Sequence, residues 1–91
     1  MSHVSQNADR LVARVRRIAG QMAAVEKAIQ AGAPCATVLQ QAAGARGALD
    51  GLMNELIEDH LREHVAAPGL DDEARAAGAE ELLAVIRRYA G

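Results

Sequence analysis

Only two prolines interrupt the 91 residues, Pro34 in "QAGAP" and Pro68 in "APGLDD", and the apolar residues around them recur every three or four positions. A period of 3.5 to 3.6 residues belongs to helices, whereas strands alternate every second residue. Leu11, Val15, Ile18, Met22, Val25 and Ile29 make one such stripe, with Asn7 or Asp9 as the opening cap. Gly32 and Pro34 stop it. A second helix runs without proline from Cys35 to about Ala66, with Val38, Ala42, Ala45, Leu49, Leu52 and Leu56 on one face. After "APGLDD", Asp71 or Asp72 caps a third, carrying Leu82, Leu83, Ile86 and Tyr89. Nothing reads as a strand. The expectation is one all-α domain over residues 1–91, with helices near 7–31, 35–66 and 72–89.

A chain this short buries little of its own surface. Half its residues are apolar but Tyr89 is the one aromatic, so the core is built from Ala, Leu, Val and Ile. That composition favours long helices that finish burying their faces against a second copy. The second helix carries Gly44, Gly47, Ala48 and Gly51 on one face. Glycine costs about 1 kcal/mol in a helix interior, and close approach of another backbone is the usual reason to accept it.

No apolar run is long enough to span a membrane. "MSHVSQNADR" lacks the basic-then-apolar order of a secretory signal, and one cysteine makes no internal disulfide. A cytoplasmic protein is therefore expected. The net charge of −2 conceals two opposite halves. Residues 1–49 hold six bases against two acids, and residues 50–91 hold four against ten. Arg10, Arg14 and Arg17 recur on one face of helix one with Arg16 beside them, and no acid lies between residues 10 and 25. Such a cluster suits a polyanion, although a solvated helix edge has the same pattern.

"IEDHLREH" sets His60 and His64 four residues apart, where both imidazoles can reach one ion. Taken alone, the pair also suits an exposed polar face. Cys35, after Pro34, stands in the first turn of helix two, at the positive end of the helix dipole. It lies 25 residues before His60, or about 38 Å along a continuous helix. Two copies of helix two packed antiparallel around position 48 would bring Cys35 of one to His60 and His64 of the other. That centre falls within the Gly44–Gly51 face. His3 is a further donor, as is the α-amine of Ser2 if Met1 is removed. Imidazole, thiolate and amine donors suit borderline ions: nickel, cobalt, zinc or copper(II).

The segments "RVRRIAGQMAAVEKAI" and "CATVLQQAAGARGALDGLMNELIEDHLREH" resemble the small metal- and formaldehyde-responsive repressors of the CsoR/RcnR/FrmR type, over nearly the whole chain. The shared features are R-x-x-G-Q in helix one, L-Q-Q in helix two, and the Cys35–His60 spacing. The resemblance implies a three-helix protomer, an antiparallel homodimer, a homotetramer of two dimers, and operator DNA bound without effector and released with it. It also implies that Cys35 is a ligand completed by His60 and His64 of the partner chain, with His3 as the extra ligand of the nickel/cobalt branch. His64 stands where the copper(I) branch has a second cysteine, which argues against copper(I). The formaldehyde branch pairs an N-terminal amine, usually on proline, with the same cysteine; here Ser2 takes that place.

Nickel or cobalt is therefore the expected effector, with formaldehyde acting through Cys35 and the N-terminal amine as the alternative. By resemblance, Arg14, Arg17, Gln21 and Arg46 lie nearest DNA. No helix-turn-helix is legible, so readout through backbone contacts and duplex shape is expected. A coupling of about 3 kcal/mol between ion and operator would weaken DNA binding roughly 150-fold. A metal-binding bundle without DNA binding is the rival of another class. An enzyme is not expected, since no nucleophile–base pair or paired buried carboxylates can be found.

Overall fold

The computed structural model describes residues 7–90 and contains three helices: α1 over Ala8–Gln30, α2 over Cys35–His64 and α3 over Asp72–Ala90. No strand occurs among the described residues, so the chain is all-α. Asn7 occupies the N-cap position of α1, and Asp9 in the first turn complements the helix dipole. At the other end, Gly32 at φ 70° allows Gly32 N–H to reach Ile29 O at 3.1 Å and Ala33 N–H to reach Ala28 O at 2.9 Å. Both bonds satisfy carbonyls that the helix end leaves open, in the Schellman pattern. Pro34 then opens α2, its carbonyl accepting from Thr37 and Val38 N–H at 2.9 and 3.2 Å.

Helix α2 ends at His64, two residues short of the expected Ala66. Val65 and Ala66 N–H both turn back to Leu61 O, at 3.1 and 2.8 Å, so the last turn closes on one carbonyl. Helix α3 begins as anticipated: Asp71 Oδ1 accepts from Ala74 N–H at 2.8 Å, a capping bond that contributes about 1 kcal/mol.

The chain packs as two compact units, one of Asn7–Met53 and the other from Asn54 onward. In the first, α1 meets the N-terminal half of α2 around Leu11, Val25, Ala45 and Leu52, the buried apolar side chains among the described residues. Within one protomer the expected stripes are covered only in part. Val15, Met22 and Ile29 of α1 stand 50%, 53% and 62% exposed, and Leu49 and Ala42 of α2 are exposed as well. The inward face of α1 is instead Leu11, Arg14, Ile18, Gln21, Val25 and Ala28. Two interleaved heptad lines share this helix, and the narrow α2 face can cover only one of them.

The second unit has a different basis. Among its described residues Asp59 and Gly78 are buried, while Leu61, Leu83, Val85, Ile86 and Tyr89 are exposed. Half-buried Leu56, Ile57 and Leu82 stand beside polar contacts and one close backbone approach.

Candidate functional site

His60 and His64 follow from α2's continuity to its last residue, which puts them one turn apart on the same face. Their ring centroids lie 4.8 Å apart at an interplanar angle of 43°. His60 Nε2 lies 3.0 Å from the carbonyl oxygen of Gly78 on α3, in a partly buried position. A carbonyl only accepts, so Nε2 carries the proton and donates it, which leaves the Nδ1 lone pair for a ligand. Glu81 Oε1 stands 3.7 Å from the same Nε2, on the exposed side of α3. A histidine whose Nε2–H donates to a backbone carbonyl has its ring orientation and tautomer set by that contact.

The contact depends on Gly78. A β-carbon there would collide with the backbone carbonyl of His64. Alanine at this position would push α3 away from α2 and take the Gly78 carbonyl out of reach of His60. Arg75, a turn earlier, donates from Nη1 to the Val65 carbonyl, approaches Ala67 O at 3.5 Å, and donates from Nη2 to Leu70 O at 3.2 Å. Neither residue was singled out from sequence as part of a site. The available signal was Arg75 itself, a cation near a helix start otherwise supplied with Asp71, Asp72 and Glu73.

Cys35 is the first residue of α2, free and exposed. Among the described residues, no group of three His, Cys, Asp or Glu side chains gathers as a metal site. The two imidazoles stand near the end of α2 and the thiol at its start. His3 lies outside the described residues.

Of the arginines expected at DNA, Arg10, Arg16, Arg17 and Arg46 are exposed. Arg14 is half-buried, its Nη2 2.6 Å from where a β-carbon of Gly51 would lie, and Arg10 and Arg14 each have a further interaction within the protein. Gln21 faces inward, with Oε1 buried and without a hydrogen-bond partner. Gly44 and Gly47 have open space where a side chain would stand, so their absent side chains answer to nothing within the protomer. No described helix is long and apolar enough to cross a membrane.

Residues 7–88 match a family model described as metal-sensitive transcriptional repressor. The transcriptional repressor RcnR of Salmonella arizonae is 40% identical over 89 residues, spanning 98% of each chain. An uncharacterized protein in the bioA 5′ region of Serratia marcescens is 46% identical over 89 residues, again 98% of each. Among solved structures, a glutamate-to-histidine variant of the formaldehyde-responsive regulator FrmR from Salmonella enterica serovar Typhimurium is similar throughout. Its TM-score is 0.88 at 40% identity, covering 96% of this chain and 98% of that one.

Proposed function

The chain belongs to the metal-sensitive transcriptional repressor family, and from that premise we propose that it releases operator DNA on binding nickel or cobalt. It is a regulator and not an enzyme. Membership implies a DNA partner, self-association and a metal ion as effector; the choice of ion and the residues that hold it are our reading. The observation that carries it is the His60–His64 pair, 4.8 Å between centroids, with His60 Nε2 donating to Gly78. Two oriented imidazoles and a thiolate suit borderline divalent ions.

In this reading Cys35 of one copy joins His60 and His64 of a second, with His3 completing the set. The outward apolar line Val15, Met22, Ile29 and the open Gly44–Gly47 face of α2 support a second copy as the missing partner. A homodimer, doubled to a homotetramer, then repeats the exposed Arg10, Arg16, Arg17 and Arg46 over a surface broad enough for a duplex, with the half-buried Arg14 at its edge and Gln21 turned inward behind it. A bound ion supplies a positive centre that joins ligands from two protomers. If the ion weakens operator binding, linkage requires that operator DNA weaken ion binding by the same factor. An exposed ligand thiol needs a reducing compartment, which agrees with a cytoplasmic protein.

The test is operator binding measured during titration with nickel, cobalt, zinc and formaldehyde. Nickel or cobalt should weaken it by ~150-fold for a coupling of about 3 kcal/mol. Cys35→Ala should bind the operator as the parent does and no longer release it; ordinary release by that variant would refute the ligand assignment. Formaldehyde is the second reading, favoured by the exposed free Cys35 and by the likeness to FrmR. Release by the aldehyde alone would select it. A storage bundle without DNA binding is not what this family is.

A further inference from the structure

We propose that Arg75 is a positioning residue for the His60–His64 pair, acting by clamping the chain that leaves α2. The inference rests on the metal-responsive reading above and assigns a role to a residue that holds no ion itself. Three observations carry it. Arg75 is partly buried and spreads its guanidinium over the carbonyls of Val65, Ala67 and Leu70, which begin one residue after His64. Val65 and Ala66 N–H both return to the single Leu61 carbonyl, so the hydrogen-bond ladder of α2 ends just where these three carbonyls begin. One turn further along α3, Gly78 admits the His64 backbone and offers its own carbonyl to His60 Nε2 at 3.0 Å, with Glu81 the next residue on that line.

Arg75, Gly78 and Glu81 are three residues apart, so one edge of α3 meets the end of α2 at successive points. Arg75 provides the first of them. Its position is otherwise unfavourable, because a cation early in a helix opposes the dipole of that helix. The cost is offset at the neighbour, where the same charge lies against the negative C-terminal end of α2. Arginine presents five N–H donors in a fixed plane, enough to serve three carbonyls at once; an ammonium group lacks that span. Without the clamp, the last turn of α2 frays, His64 loses its register with His60, and the Gly78 carbonyl no longer holds the His60 ring.

The experiment uses the full-length protein and cobalt(II) as probe, with Arg75→Ala and Arg75→Lys beside the parent. Affinity is read by competition with a chelator, ligand number and type by the visible ligand-field bands, and thiolate binding by the near-ultraviolet charge-transfer band. The expected result is a 10- to 100-fold loss of cobalt affinity in Arg75→Ala, in the range seen when an outer contact to a metal-binding histidine is removed. The thiolate band should persist while the ligand-field bands change, and operator affinity without metal should stay at the parental level. Arg75→Lys keeps charge and stem but not the planar fork, and should fall between the two. Should Arg75→Ala fail to fold, Arg75→Lys decides alone: parental affinity and bands in that variant overturn the proposal. If neither variant alters the bands, the clamp is a structural tie only and the proposal is wrong. Failure of the underlying reading has another signature. There the parent binds no cobalt, or His60→Ala and His64→Ala bind it as the parent does.

Discussion

The two packed units of this chain differ in what holds each of them together. Asn7–Met53 has a small apolar centre of Leu11, Val25, Ala45 and Leu52, and carries a second apolar line, Val15, Met22 and Ile29, facing outward. The unit from Asn54 onward buries a carboxylate and a glycine, and relies on directional contacts: His60 on Gly78, Arg75 on three loop carbonyls, Asp71 capping α3. Apolar burial is tolerant of direction and can be completed by any surface of similar shape. Hydrogen bonds hold a ring at one angle. The first unit is thus suited to association, and the second to presenting donor atoms in a set orientation.

The largest expected effect tests the first half of this contrast. Met22→Glu places a charge in the outward line of α1. Two copies of lost methionine burial, at about 1.5–3 kcal/mol each, should weaken self-association by ~100-fold or more. Sedimentation equilibrium measures it; an assembly that persists unchanged would remove that line from the association face.

Gly78→Ala tests the second half. A side chain forced against the His64 backbone costs about 1–3 kcal/mol, so Tm should fall by roughly 4–8 °C for each kcal/mol. Cobalt affinity should fall with it. Unchanged melting would mean that α3 does not need its close approach.

Gly47→Ala is the smallest and most discriminating. Nothing stands within 4 Å of the added carbon in the protomer, so the substitution should stabilise α2 by about 0.5–1 kcal/mol. If a second helix crosses there, association should weaken at the same time. Melting followed over a range of protein concentrations separates the two, and a variant that melts higher at every concentration rules the crossing out.

Much of the architecture was legible because its determinants are local. Gly32 with Pro34, and Pro68 with Asp71, mark where helices cannot continue or where they start, and α1, α2 and α3 obey those marks to within two residues. The His60–His64 spacing likewise needs only helical geometry. The inward face of α1 could not be read in the same way. Val15 and Ile18 carry the same apolar signal, and choosing between two heptad lines depends on which one α2 covers.

By itself, then, the sequence determined three helices, a thiol and an imidazole pair at opposite ends of one of them, and membership of a repressor family. Tertiary structure decided that Gly78 supplies the carbonyl behind His60, that Arg75 secures the turn after His64, and that Gln21 points inward. The physical reason is separation along the chain. His60 and Gly78 stand 18 residues apart, and a contact between two helices depends on their crossing, which no periodicity within either helix records.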